Sequence, residues 1–275
     1  VLVGTPIGNL GDLAPRAVEA LAAADVVCCE DTRRTGRLLQ HAGIRARSLR
    51  VVNDHTERDV VAEVVERVAG GAVVAVVSDA GMPGVSDPGE KLVAAVAEAG
   101  LVVEVVPGPS AGLTALVASG LPAGRFVFEG FLPRKGSTRT ERLDAVAAER
   151  RTIVLYEAPH RLARTLDDLL AVCGADRPVV LARELTKLHE EVWRGSLAGA
   201  VARVAEVAPR GEHVVVLGGA PAPAEVTDDA LRSALDAARA SGASTRDAVS
   251  EVAAELGVAR RRVYRLATGA TDGDR

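Results

Sequence analysis

Over residues 1–106, short β-branched runs alternate with segments of helical period, and this alternation restricts the fold more than any other feature of the chain. The runs are Val1–Val3, Asp25–Cys29, Ser48–Val52, Val73–Val77 and Val102–Val106. Between them, Pro15–Ala23, Thr32–Gln40, Glu57–Val68 and Pro88–Ala99 carry apolar residues at i, i+3 and i+4. Strands that are apolar on both faces must be covered on both faces, so the pattern predicts a mostly parallel sheet between helices. Asp87-Pro88, with Glu90 close behind, predicts a carboxylate cap ahead of a proline in the first helical turn. Gly70-Gly71 and Gly100 stand where helices should stop.

After Leu121-Pro122-Ala123-Gly124 the pattern changes. Strands are expected at Arg125–Glu129, Thr152–Tyr156, Val179–Arg183, Glu190–Arg194 and Val214–Leu217, with helices at Arg139–Ala148, Leu162–Val172 and Leu197–Val207. Pairing Glu190–Arg194 antiparallel with Val214–Leu217 makes the second sheet mixed. The run from Gly218 to Ala224 breaks all periodicity and reads as a linker. Asp228 to Ala267 is helical in pattern, with a turn at Gly257 before an arginine-rich helix, the spacing of a helix-turn-helix. The expected α/β organisation is therefore a parallel-rich domain over residues 1–121, a mixed one over 122–219 and a small helical tail over 225–275. A chain of 275 residues has room for this, since domains commonly run to about 100–150 residues.

Composition narrows the function classes. With 48% hydrophobic and 25% charged residues the chain is globular. Its longest apolar runs, Ala72–Val77 and Leu101–Pro107, fall far short of the roughly 20 residues of a membrane span, so no membrane partner is expected. Cys28, Cys29 and Cys173 suit neither a disulfide framework nor a zinc site, and the histidines show no ligand spacing, so no metal and a reducing, cytoplasmic setting are expected. No secretory signal is expected in the strand-like VLVGT start. A net charge of −4 argues against a general nucleic-acid coat and leaves room for local basic patches.

The glycines point to chemistry. Gly4-Thr5-Pro6-Ile7-Gly8-Asn9, Glu30-Asp31-Thr32-Arg33, Ser78 through Gly89, and Pro107-Gly108-Pro109-Ser110-Ala111 each follow a predicted strand. Ligands of open α/β sheets bind outside these carboxyl ends. Glycine admits close backbone approach, proline presets the loop, and the following helix N-termini offer free N–H groups. A small polar cofactor held largely by main chain is the natural occupant. A phosphate loop would require GxxxxGK[ST], which is absent, and the Gly4, Gly8, Gly11 spacing is not the dinucleotide GxGxxG.

VGTPIGNLGDL, ADVVCCEDTRRTGRLL, VSDAGMPGVSDPG, VPGPSA, GFLPRKG, YEAPHRL and ARELTKLHEE, in this order, resemble the bacterial 16S ribosomal RNA 2′-O-ribose methyltransferases of the ribosomal RNA small subunit methyltransferase I family, within the tetrapyrrole methylase superfamily. The resemblance covers about residues 1–219, and the helical tail also matches. It implies the tetrapyrrole methylase type of fold, two α/β domains with a cofactor cleft between them. It further implies S-adenosyl-L-methionine as methyl donor, a homodimer, and as substrate a cytidine ribose in the decoding centre of the small ribosomal subunit. On this resemblance Pro6, Asp79, Gly81, Ser110 and Ala111 hold the cofactor from the first domain, and Tyr156 and Leu185 from the second. Tetrapyrrole-modifying relatives usually read GxGPGD in the first loop; GTPIGN departs from that.

Methyl transfer from a sulfonium is an in-line displacement, so alignment supplies most of the rate and an acceptor for the hydroxyl proton helps. Glu30, Asp31, Glu157, Glu184 and, given a lowered pKa, Lys187 are the candidate bases. Glu184 or Lys187 is expected to assist deprotonation, because ARELTK follows a second-domain strand and should face the cofactor. For RNA, Arg33, Arg34 and Arg37 form one cationic cluster, Arg134, Lys135 and Arg139 a second, and Arg260, Arg261, Arg262 and Arg265 a third. Arg33, Arg34, Arg134 and Lys135 are expected at the cleft, with Phe131 or Tyr156 as a stacking surface. A solvated helical face would look the same as the first cluster, and a packing unit the same as the third. Cys28-Cys29 reads as core, Phe126 and Phe128 likewise, and Asp31 and Asp79 double as ordinary helix caps. Two rivals remain: a tetrapyrrole C-methyltransferase, and a metabolite-sensing nucleic-acid-binding regulator.

Overall fold

The computed structural model describes residues 1–52, 56–222 and 226–268; His55 with its two preceding neighbours, residues 223–225 of the expected linker and start of the tail, and the last seven residues lie outside the described residues. The described chain forms two compact units, Val1–Ala220 and Pro221 onward. No helix among the described residues is long and apolar enough to cross a membrane.

The larger unit contains two sheets. The first lobe runs β1 (Leu2–Val3), α1 (Pro15–Ala23), β2 (Val26–Cys29), α2 (Thr32–His41), β3 (Leu49–Val51), α3 (Glu57–Ala69), β4 (Val74–Val76), α4 (Glu90–Glu98), β5 (Val105–Val106) and α5 (Ala111–Ser119). Its sheet is wholly parallel, in the order β3-β2-β4-β1-β5. Val3, Val27, Cys29, Ala75 and Val77 pack with α1 and α2 on one face, while Val26, Cys28, Val74 and Val76 pack with α3 and α4 on the other. Both cysteines are buried core residues, and burial pushes the Cys28 thiol up to about 12.

One helix start departs from expectation. α4 begins at Glu90 behind its N-cap Gly89, whose φ of 129° no side chain would tolerate easily. The loop from Ser78 keeps turning through Gly81, Gly84, Ser86 and Gly89, all at positive φ, so Pro88 stays in a turn and Asp87 is not the N-cap.

The second lobe runs β6 (Phe126–Phe131), α6 (Ser137–Ala148), β7 (Thr152–Glu157), α7 (Pro159–Cys173), β8 (Pro178–Arg183), β9 (Glu191–Ser196), α8 (Leu197–Glu206) and β10 (His213–Leu217). Its mixed sheet has the order β6-β7-β10-β8-β9. The expected pairing of Glu190–Arg194 with Val214–Leu217 does not occur: β10 lies antiparallel between β7 and β8, and β9 pairs with β8 alone. Hydrophobicity explains the order. Every residue of β10 is buried, which requires a central place, whereas β9 carries Glu191 and Arg194 and stands at the edge.

α5 joins the lobes. Its Ala115 and Leu116 pack against Val154, Val180, Val214 and Val216 of the second sheet, with Ile7 and Leu185 in the same cluster. A helix that starts at a first-lobe loop thus closes one face of the second sheet, and this fixes the two sets of strand ends around a common cleft.

The smaller unit holds α9 (Asp228–Ala240), α10 (Thr245–Glu255) and α11 (Arg260–Thr268) around Leu231, Leu235, Val249, Val252 and Val263. Thr227 and Ser244 cap α9 and α10 through their hydroxyls. Gly257, at φ 61°, turns the chain between α10 and α11, where the sequence placed it. Of the tail arginines, Arg262 is paired to Asp228 at 2.6 Å.

Candidate functional site

The loops after β1, β4 and β5 meet at the carboxyl edge of the first sheet. Gly4 and Gly108 stand back to back: a Cβ on Gly4 would lie 2.6 Å from Gly108 backbone atoms, and one on Gly108 2.8 Å from Gly4. Only glycine at both positions lets these loops touch. Thr5 and Gly81 exchange main-chain hydrogen bonds of 2.8 and 3.1 Å, which ties the first loop to the long one. Ser110 caps α5, its hydroxyl accepting from the Leu113 N–H at 3.5 Å. Glu30, at the end of β2, accepts the Asp79 N–H at 3.0 Å. The loops are therefore set by main-chain contacts and glycine, as their composition predicts.

The opposite wall comes from the second lobe. Tyr156 accepts the Gly112 N–H at 3.1 Å, fastening β7 to the first turn of α5, and burial pushes its phenol above the usual value. Phe128 and Phe131 meet the Tyr156 ring edge-on at 5.0 and 5.7 Å. Phe128 is thus not enclosed core; it remains 37% exposed beside Tyr156. After β8, Glu184 and Thr186 hold left-handed φ of 50° and 65°, and the Thr186 hydroxyl accepts the Asn9 N–H at 3.1 Å. This strained turn hooks the second lobe onto the first loop.

Two cavities of about 320 Å³ each lie in the cleft, within the size range of small-ligand sites. The first is bounded by Asp79, Gly81, Ser110, Ala111, Tyr156 and Leu185, together with Ile7, Met82 and Val214. The second is bounded by Pro6, Gly8, Arg34, Arg37 and Lys187. Ile7, Arg34, Asp79, Ala80 and Glu212 line both, so they form the wall between the two.

The charges divide unevenly. Asp79 Oδ1 and the Ser78 hydroxyl are buried and have no hydrogen-bond partner among the described residues. Burial pushes the Asp79 carboxyl above its ordinary value against the pull of Arg34, whose guanidinium lies 3.4 Å from Oδ2. Asp31 is held well below the carboxylate range by Arg33, which it binds through both backbone N–H and guanidinium. Lys187 reaches Glu184 at 2.9 Å and Glu212 at 2.8 Å. Burial lowers the Lys187 pKa, but the two carboxylates overcome it and the ammonium is stabilised; Glu184 is held low in turn by the Glu212 N–H and Lys187 despite burial. The lowered Lys187 pKa that base chemistry requires is therefore not met.

Of the residues singled out in the sequence, the first cavity brings together Asp79, Gly81, Ser110, Ala111, Tyr156 and Leu185. Pro6 and Lys187 border the second cavity, and Glu184 borders neither. Arg34 faces both, while Arg33 is turned to Asp31 and is 85% exposed. Arg134 and Lys135 are exposed in the loop between β6 and α6. Arg139 is not available for phosphate at all: it is buried and spent on Asp168, Thr165 and the Pro133 carbonyl. Ile7, Met82, Ala182 and Val214 line the first cavity without having been singled out, because an apolar strand end or loop residue carries no chemical signature. Among the described residues no three His, Cys, Asp or Glu side chains gather as a metal-binding set.

Comparison with known proteins agrees with this architecture. Residues 1–201 match the tetrapyrrole (corrin/porphyrin) methylases. The ribosomal RNA small subunit methyltransferase I of Synechocystis is 46% identical over 267 residues, 96% of this chain and 95% of its own. That of Mycobacterium bovis is 48% identical over 96% of this chain and 92% of its own. The crystal structure of uroporphyrin-III C-methyltransferase from Thermus thermophilus superposes with a TM-score of 0.56 at 25% identity, covering 78% of this chain and 92% of that one.

Proposed function

We propose, for a chain that belongs to the tetrapyrrole methylases and within them to the ribosomal RNA small subunit methyltransferase I family, that it methylates the ribose 2′-hydroxyl of a cytidine in the decoding centre of 16S ribosomal RNA. The observation that carries this reading is the paired cavity: a mostly apolar chamber bordered by the loops after β4 and β5 beside one lined by Arg34, Arg37 and Lys187.

S-adenosyl-L-methionine fits the first chamber by the chemistry of its lining, and when bound it supplies a methyl group on a cationic sulfur. Gly81, Ser110 and Ala111 would hold it through main chain, Tyr156 and Leu185 through apolar surface, and Asp79 through charge. The orphaned Oδ1 of Asp79 is what a polar ligand would satisfy; Ser78, equally orphaned, lines the second chamber instead. Pro6 presets the loop on the other side of the wall.

Arg34 and Arg37 would take the phosphates of an extruded nucleotide, since chemistry on a stacked nucleotide requires its extrusion. Arg37 has no partner among the described residues and is exposed. Arg134 and Lys135 extend a basic rim for flanking RNA, and Arg33 stays a helix-end ion pair until RNA competes for it. Glu184 and Lys187 serve as positioning residues, their ion pair holding the turn that bears Leu185. A homodimer is supported by exposed apolar side chains one turn apart on α5, Leu113 at 52% and Val117 at 79%. Cytoplasmic residence follows from a ribosomal substrate.

A porphyrin substrate has less support, since the second cavity combines cations with a first loop reading GTPIGN. The test is to incubate the protein and methyl-labelled donor with under-modified small subunits, free 16S RNA and tetrapyrrole precursors. Label on one cytidine 2′-oxygen is expected; label on a tetrapyrrole carbon would overturn the reading.

A further inference from the structure

We propose that Asp79 is the proton acceptor of the methyl transfer, receiving the acceptor hydroxyl's proton at the wall between the two cavities. The inference deepens the rRNA methylation reading and rests on it for the identity of the hydroxyl.

Position is the first argument. A base for this reaction must reach the attacking oxygen while that oxygen faces the donor, so it has to border both chambers. Asp79 is the carboxylate of the shared wall whose Oδ1 is buried without a partner among the described residues, and the Ser78 hydroxyl beside it in sequence is equally unsatisfied. Two such atoms in succession mark a place built to meet a polar group that the protein does not supply. Oδ2 is turned to Arg34, which leaves Oδ1 as the carboxylate oxygen without a hydrogen-bond partner among the described residues.

Elimination is the second. Glu157 is buried and saturated, accepting from the Ala158 N–H, the Thr165 hydroxyl and Arg161. Glu184 accepts from Lys187 and the Glu212 N–H, Glu212 is itself bound to Lys187, and Asp31 is bound to Arg33. Glu30 accepts the Asp79 N–H and so aims the loop.

Electrostatics agree. The groups facing Asp79 are Glu30 and Asp31 from the end of β2, Arg33 and Arg34 from α2, and the Lys187–Glu212 pair across the second cavity. Burial and Asp31 raise its carboxyl, while Arg34, the Asp31 N–H and Arg33 restrain the rise. The result is a carboxylate more basic than one in water.

The step balances simply. The hydroxyl oxygen forms a bond to the methyl carbon as the carbon–sulfur bond breaks, and that bonding pair stays on sulfur, which becomes a neutral thioether. The O–H pair stays on oxygen as the proton passes to Asp79 Oδ1, and solvent later removes it.

The test uses Asp79→Asn and Asp79→Glu in single turnovers on small subunits. Asp79→Asn is expected to slow transfer at saturating donor by about 10²-fold or more, well beyond any loss of S-adenosylhomocysteine affinity by calorimetry; Asp79→Glu recovers part of the rate. The wild-type rate rises with pH through one ionisation above the ordinary aspartate value of about 3.9, and the Asn variant loses that limb. Infrared difference spectra of wild type against Asp79→Asn, without RNA, follow the same carboxyl directly. Asn transfer within about threefold of wild type, equal losses of donor-product binding and rate, or a carboxyl titrating below 3.9 would each overturn the assignment. Wild type that labels no ribosomal RNA would instead break the substrate reading, and the infrared titration would still decide the carboxyl.

Discussion

Strands of the first sheet run two to four residues; those of the second run five or six. The cores differ in the same sense. The second lobe buries Ile153, Leu155, Leu162, Leu166, Leu169, Leu197 and Leu217 in one cluster, whereas the first lobe fills two smaller layers mostly with valine, joined by alanine, cysteine and the leucines Leu21, Leu39 and Leu92. Short strands leave more chain for loops, and it is the first lobe's loops that line the cleft. The second lobe contributes a stiff wall and few loop residues. Holding a ligand by main chain demands such a partner, because loops fixed mostly by glycine contacts have little apolar burial of their own.

If the division holds, core truncations will separate the lobes. Leu166→Ala, at a fully buried site of α7, is expected to cost about 2–5 kcal/mol in urea unfolding. Val27→Ala in the first sheet should cost about half as much, roughly 1–2 kcal/mol, because fewer methylenes are lost into a thinner layer. Equal costs would remove the contrast.

Gly4→Ala probes the loops instead. The new methyl would sit 2.6 Å from Gly108 backbone, so the loops after β1 and β5 must part. S-adenosylhomocysteine affinity should drop by about tenfold or more, the consequence of roughly 1–3 kcal/mol of overpacking strain, with the second lobe's unfolding midpoint little changed. Unaltered affinity would mean that the first loop does not shape the chamber.

The same contrast governs how much was legible in the sequence. Alternating apolar runs located every strand of both sheets, since period and length survive without tertiary context. What failed were decisions made by distant contacts. The central place of β10 depends on competition between a uniformly apolar strand and a charged one, and the start of α4 on a loop that keeps turning to Gly89. At the site, the glycine loops announced themselves, while partners did not. That Lys187 lies between Glu184 and Glu212, or that Arg139 is buried on Asp168, depends on residues far along the chain. Asp79 was visible as a loop residue, but its unsatisfied oxygen was not.

Tyr156→Phe tests the seam between lobes. It removes the acceptor of the Gly112 N–H and leaves the edge-on contacts with Phe128 and Phe131. A loss of about 1–2 kcal/mol is expected, with donor-product affinity falling in step as α5 loosens. A stability loss without any change in affinity would confine Tyr156 to packing.

The smallest effect carries opposite signs in the two lobes. His213, at the start of β10, has its pKa lowered by burial and by Arg183, and the Arg210 backbone, Glu184 and Glu191 do not reverse this. Its folded value lies below the unfolded one of about 6.5, so the unfolded chain binds the proton first and stability falls as pH drops through that range. Asp79 is the reverse: its folded pKa is raised, so its charge costs stability at neutral pH and the cost disappears on acidification through the folded value. His213→Met should therefore flatten the decline in urea midpoint between pH 7.5 and 5.5, while Asp79→Asn should raise the midpoint at pH 7 and lose that gain toward pH 4. A decline that persists in His213→Met would move the proton-sensitive group elsewhere in the second lobe. An Asp79→Asn midpoint below wild type at pH 7 would mean that Arg34 and the Asp31 N–H already satisfy the carboxylate in the resting protein, and that the first lobe's loops are more self-sufficient than their short strands imply.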